Sequence, residues 1–185
     1  ETNIQNIENG ISGIRLHENS EMMKTPFYAS IIEDEILNLA FAKISNSTDF
    51  TRLEKMMILA LQPIVEKSKF VLNSKTGLIL STTKGNITAL KNQTEENLKS
   101  AHLSDLAKKI FSFFGFQTQP IVVSNACVSG ILAVSVAKRL IQSELYDNVL
   151  IVAGDEVSEF VLSGFTSFQA ISDLPCKPYS KNRTG

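Results

Sequence analysis

The chain has 185 residues, 43% of them hydrophobic, and a formal net charge of -1. That is enough apolar material for one ordinary domain, or for one half of a larger two-part fold. The near-neutral charge and the lack of any dense Lys/Arg cluster argue against a nucleic-acid surface. No apolar run reaches the roughly 18 residues needed to span a bilayer, which speaks against a membrane protein. The opening Glu1-Thr2-Asn3-Ile4 has neither the charged nor the apolar region of a signal peptide; without a methionine, it reads as a processed or engineered end. The two cysteines, Cys127 and Cys176, do not make a disulfide scaffold, so a reducing cytosol and a cytoplasmic location are expected.

Residues 1–30 read as polar and turn-rich, punctuated by Gly10, Gly13 and Pro26. Ile31–Phe41 is short and ambiguous. The spacing of Leu53, Met56, Met57, Ala60, Leu61 and Ile64 predicts an amphipathic helix from Arg52 to Lys67. Pro63 should kink that helix or mark its last turn. Thr76–Ser81 is a short apolar strand followed by the polar loop Thr82–Asn86, and residues 91–99 read as an exposed connection. Ser104–Phe114 carries Leu106, Ala107, Ile110, Phe111 and Phe114 on one helical face, with Gly115 as its stop.

The last third carries the chemistry. Ile121–Ser124 is a β-branched run of the kind found in strands covered on both faces. Val128–Ile141 is helical and almost wholly apolar or small, so it should be buried over most of its circumference. Glu144–Asn148 turns the chain into a second apolar strand, Val149–Ala153. Strand, helix and strand at this spacing predict a right-handed βαβ unit with parallel strands. Cys127 then lies at the carboxyl end of its strand, where open α/β sheets place their chemistry. A thiol at a helix start is favoured as the thiolate, the form that acts as nucleophile. A free cysteine more often serves as a small buried hydrophobe, and spacing alone favours that simpler account.

The surrounding residues reverse that preference. Val123-Ser-Asn-Ala-Cys127-Val-Ser-Gly130, followed by Ala133, Val134, Ala137, Leu140 and Ile141, resembles the nucleophile segment of the β-ketoacyl synthases. These are condensing enzymes of the thiolase-like superfamily. Val149-Leu-Ile-Val-Ala-Gly154-Asp155-Glu156 is similar to the family's strand that ends in a glycine and an acidic residue. Gly164-Phe165, Ala170-Ile171-Ser172 and Cys176-Lys-Pro-Tyr179-Ser-Lys-Asn-Arg183-Thr-Gly185 resemble the segment between nucleophile and histidines, and the tail favours the elongating synthases. Asn9-Gly10-Ile11-Ser12-Gly13-Ile14 is similar to the early loop, and Arg52–Phe70 to the first long helix.

The resemblance implies a thiolase-like layered α/β/α/β/α fold. Residues 1–185 would be its amino-terminal half, with the first strand and the carboxyl-terminal half absent. It implies that Cys127 takes an acyl group from an acyl carrier protein and condenses it with a malonyl extender by decarboxylation. The backbone N–H of Cys127 would contribute to the oxyanion hole. No cofactor or metal is implied, because phosphopantetheine arrives on the carrier. The partners would be that carrier protein and a second synthase subunit, in a homodimer or a heterodimer. Two histidines and a lysine of the family's site would lie beyond this chain, so the chain alone should not condense. Two alternatives stay open: a non-catalytic chain-length-type partner subunit, and a coenzyme A-dependent acyltransferase of the same superfamily.

The remaining motifs have plainer accounts. Thr82-Thr-Lys84-Gly85 superficially suggests a phosphate loop but lacks the Gly-Lys-Ser/Thr ending, so it reads as an ordinary loop. Asp155 and Glu156 read as a solvated strand end. His17 and His102 read as surface or satisfied residues, and no metal-ligand spacing joins the cysteines and histidines.

Overall fold

A computed structural model describes residues 2–68 and 71–184. In chain order the elements are α1 (Thr2–Glu8), β1 (Arg15–His17), β2 (Phe27–Ala29), α2 (Asp34–Phe41), α3 (Arg52–Lys67), β3 (Thr76–Ser81), α4 (Glu95–Ser100), α5 (Leu103–Phe114), β4 (Ile121–Val123), α6 (Ser129–Gln142), β5 (Asn148–Ala153) and α7 (Glu159–Ser167). They fall into two units. One takes the two ends of the chain, up to Glu33 and from Glu156 onward, and the other is Asp34–Asp155.

The unit made of the chain ends contains α1, the antiparallel pair β1–β2 and α7. Its small core is Phe27, Ala29 and Leu162, with Met22, Met23, Ile31, Val157 and Ile171 packed around them. The sequence reading missed α1, β1 and β2. The two strands have three residues each, too short for an alternating pattern to register, and Ile4 and Ile7 of α1 are exposed.

The unit Asp34–Asp155 is built on a parallel sheet of order β4-β3-β5. β3 lies in the middle and every one of its residues is buried. Successive side chains on a strand point to opposite faces, and the core divides accordingly. Leu78 and Leu80 join Leu150 and Val152 against Leu53, Met57, Ile58 and Leu61 of α3 and Leu106 and Ile110 of α5. Ile79 instead packs with Val123, Ala133 and Ala137, with Ile121, Val149 and Ile151 alongside. The sheet is thus covered by α3 and α5 on one face and by α6 on the other, a helix–sheet–helix sandwich. Each buried Leu or Ile contributes about 1.5–3 kcal/mol.

α3 starts on a capping box: Thr51 Oγ1 accepts from the Glu54 N–H at 3.3 Å, and a Glu54 carboxylate oxygen accepts from the Thr51 N–H at 2.8 Å. The helix runs past Pro63 to Lys67, so the proline does not end it. Phe70, the expected limit of the first long helix, lies outside the described residues. α5 closes on Gly115 as expected, in the left-handed conformation at φ 71°. The stretch read as an exposed connection holds α4, capped by the Thr94 hydroxyl accepting from the Asn97 N–H.

β4, α6 and β5 form the expected βαβ unit with parallel strands, and β3 is inserted between the two. One expectation needs correction: α6 is not buried around most of its circumference. Only Ser129, Ala133 and Ala137 are buried, while Ile131 is 77% exposed and Val134 56%. The sheet covers one side of α6, and no described element of this unit covers the other.

Candidate active site

The parallel register aligns Ser81 with Val123 on one side and with Ala153 on the other, so all three strands end at the same sheet edge. The segments that leave this edge are Thr82–Asn86 after β3, Ser124–Val128 after β4 and Gly154–Asp155 after β5. Two backbone bonds tie them together. The Thr82 N–H donates to the Val123 carbonyl at 3.3 Å, and the Gly154 N–H donates to the Ser81 carbonyl at 3.0 Å.

Cys127 sits in the segment after β4, free and exposed. It does not open directly into the long helix, as the sequence suggested. It lies in the middle of a short 3₁₀ turn, Ala126–Val128, and α6 begins only at Ser129. Ala126, just before it, has φ 45°, a left-handed conformation that costs a non-glycine residue energy and persists only where surrounding bonds impose it. The buried Ser129 hydroxyl supplies those bonds. It accepts from the Asn125 N–H at 2.8 Å and donates to the Ala126 carbonyl at 2.7 Å. The Val128 N–H closes the turn onto the Asn125 carbonyl at 3.2 Å. A thiol thus stands exposed on a stapled turn that follows directly from β4.

The loop after β3 is ordered from both sides. On one side Asp155 accepts from the Thr82 hydroxyl at 2.7 Å, the Thr83 N–H at 2.9 Å, the Thr83 hydroxyl at 2.9 Å and the Lys84 N–H at 3.0 Å. On the other, Asn86 is buried and donates to Glu54 at 2.8 Å and to the Ser100 carbonyl at 3.0 Å, while accepting from the Thr51 hydroxyl at 2.7 Å. Glu54 is 0% exposed and also lies 3.3 Å from the Lys109 ammonium. The loop therefore is not a phosphate cradle, since its N–H and hydroxyl donors already hold an anion that belongs to the chain.

The other sequence candidates fall out as follows. Asp155 does stand at a strand end, but its carboxylate is engaged with four donors. His17 lies against the Ala29 carbonyl at 3.1 Å and stacks on Phe27, so it is a satisfied residue. His102 precedes α5 without a side-chain capping bond. Cys176 is exposed and lines a cavity of about 470 Å³ in the unit of chain ends, with Tyr28 and Phe165 among its walls. Among the described residues no three His, Cys, Asp or Glu side chains gather as metal ligands, and no helix is long and apolar enough to cross a membrane.

The sequence reading missed Ser129, Asn86 and Glu54. Two signals were there to find: a serine at a helix start, and Thr51-Arg-Leu-Glu54, which has the spacing of a capping box. Nothing in the linear sequence links Asp155 to a loop 72 residues away.

Residues 123–163, from the last residue of β4 into α7, match the family model of 3-oxoacyl-[acyl-carrier-protein] synthase III. A chain of the ketosynthase ApeO in complex with its chain length factor ApeC, from Xenorhabdus doucetiae, superposes with a TM-score of 0.70. The match covers 98% of this chain and 49% of that one, at 17% identity. The fold is that of a thiolase-like ketosynthase. A chain of the ishigamide ketosynthase/chain length factor agrees, with a TM-score of 0.68 at 16% identity over 92% of this chain and 52% of that one. The chain thus spans about half the length of the solved chains it matches. No curated protein matches its sequence. The family model and the structural neighbours carry different names, one a synthase III and the others ketosynthases with chain length factors.

Proposed function

We propose that this chain supplies the nucleophile of a β-ketoacyl–acyl-carrier-protein synthase of the elongating type. One observation carries the reading. Cys127 is exposed on a stapled, left-handed turn at the carboxyl edge of a parallel sheet, within the segment that matches the synthase family model. In the first step the Cys127 thiolate attacks the thioester carbonyl of an acyl carrier. The carrier's carbon–sulfur bond breaks, its thiolate leaves, and the acyl group remains on Cys127. A malonyl extender then loses carbon dioxide, and the resulting carbanion attacks the acyl-enzyme carbonyl. The new carbon–carbon bond forms and Cys127 is released as thiolate. The Cys127 N–H would help hold the oxyanion in both steps.

The neighbours' pairing with chain length factors supports a related subunit as partner, with a homodimer as the alternative; β4, at the edge of the sheet, is the strand proposed to meet it. The carrier protein is the proposed acyl donor, and the two free cysteines suit a cytoplasmic setting. A chain-length-type subunit without catalysis is the rival from outside the enzymes, and an exposed cysteine on this turn speaks against it.

The test is acyl transfer to the intact protein from acyl-carrier protein and, separately, from acyl-coenzyme A, read as the mass of the Cys127 peptide. The expected result is acylation of Cys127 from the carrier, lost in Cys127→Ala. Acylation from coenzyme A alone would favour the coenzyme A-dependent alternative. No acylation from either donor would favour the non-catalytic subunit.

A further inference from the structure

The donors of the loop after β3 converge on one carboxylate, and that loop touches the strand that carries the cysteine turn. We propose that Asp155 is a positioning residue for Cys127: it fixes the Thr82–Lys84 loop, and through Thr82 it fixes the end of β4 from which the nucleophile turn departs. The assignment rests on the reading of Cys127 as the acyl-accepting nucleophile.

The coupling runs through named bonds. One Asp155 oxygen takes the Thr82 hydroxyl at 2.7 Å, the Thr83 N–H at 2.9 Å and the Lys84 N–H at 3.0 Å, while the other takes the Thr83 hydroxyl at 2.9 Å and shares the Thr83 N–H at 3.1 Å. The Thr82 hydroxyl in turn accepts from the Gly85 N–H at 3.0 Å, so it is committed on both sides. The same residue's N–H holds the Val123 carbonyl at 3.3 Å. Two residues further on, the Asn125 N–H is bound by Ser129, and Cys127 follows within the turn. A shift of Thr82 therefore pulls on the residue that sets where the turn begins. Small displacements of a reacting group cost rate steeply, about 100-fold for 1 Å.

The geometry also predicts which substitutes work. Asp155→Asn would keep the oxygen that serves three donors; the new amide nitrogen gives up the longer share of the Thr83 N–H but could donate to the Thr83 hydroxyl, which can rotate to accept. Asp155→Glu would keep the charge but carry the oxygens one methylene away. A positioning role therefore ranks Asp155→Asn above Asp155→Glu, whereas a base or charge role ranks them the other way.

The experiment measures iodoacetamide labelling of Cys127 and Cys176 by mass spectrometry in the intact protein, with hydrogen exchange across residues 82–86. Asp155→Ala and Asp155→Glu should each slow Cys127 by about tenfold, leave Cys176 unchanged and speed exchange at Thr83 and Lys84. Asp155→Asn should stay within about threefold of wild type on the same scale. Wild-type labelling of Cys127 in Asp155→Glu would overturn the proposal, as would Asp155→Asn being slower than Asp155→Glu. A parallel change at both cysteines would also overturn it, by showing general loosening. If wild-type Cys127 labels no faster than Cys176 and takes no acyl group, the nucleophile reading itself fails, whatever Asp155 does.

Discussion

At the scale of single residues, the most consequential group outside the cysteine turn is Glu54. A fully buried carboxylate is costly to desolvate and survives only with good partners. Here they are the Thr51 N–H, the Asn86 amide and Lys109. Removing the carboxylate leaves the buried Asn86 amide and the Thr51 N–H without their acceptor, so Glu54→Ala should cost about 3–5 kcal/mol. Lys109→Met should also cost several kcal/mol, since it strands the fully buried carboxylate without its cation. Urea denaturation of the intact protein measures both, and a loss of about 1 kcal/mol or less for Glu54→Ala would mean that Glu54 is not the hub. Ser129 matters for a different reason. Ser129→Ala frees the Asn125 N–H and the Ala126 carbonyl, so the left-handed Ala126 loses its restraint. Acylation of Cys127 should slow by about tenfold or more while the melting temperature falls by several degrees, since the two lost hydrogen bonds cost about 1 kcal/mol each.

At the scale of elements, two glycines separate backbone strain from crowding. Gly115 ends α5 at φ 71° with open space where a Cβ would stand, so Gly115→Ala should cost only the left-handed penalty, about 1 kcal/mol. Gly85 has φ 55°, and a Cβ there would lie 2.5 Å from Leu103 Cδ2, so Gly85→Ala should cost more and should also disturb the loop that Asp155 holds. Thermal melts of the two variants test the order, and a larger loss at Gly115 would contradict it. The same elements show what the sequence made legible. α3, α5, β3 and β5 were readable because their apolar spacing answers to one dominant burial surface each. α1, β1 and β2 were not, being too short for periodicity or lacking an apolar face. Cys127 was legible through its neighbours in sequence. Asp155 meets its loop from 71 to 73 residues away and Asn86 meets Glu54 from 32, which no local pattern encodes.

At the scale of the whole molecule, the unit Asp34–Asp155 presents two apolar surfaces. One is the outer face of α6, where Ile131 and Val134 stand exposed, with Val128 just before the helix. The all-round apolar pattern that suggested a buried helix is real, but the described elements of this unit cover only one side. The other surface is β4, which pairs with β3 alone and so forms an edge of the sheet. Because the Val123 carbonyl faces Thr82, the residue just after β3, the Val122 N–H and carbonyl one residue earlier face outward, as alternate residues of a parallel ladder do. An apolar edge without a charge invites strand addition. The proposed assembly, with β4 antiparallel to its counterpart in a second subunit, would satisfy those groups and set the two nucleophile turns on either side of the interface. A lysine at position 122 would be an ambiguous probe, because the Val122 side chain packs against the core shared with α3 and α5. Val122→Pro is cleaner: it removes the outward N–H and leaves the Val123 contact with β3 in place. Sedimentation of the intact protein should show a dimer for wild type and a monomer for Val122→Pro. Rapid labelling of Cys127 in that monomer would confirm that the turn survived the substitution. A wild-type monomer, or a Val122→Pro dimer of undiminished strength, would remove β4 from the interface.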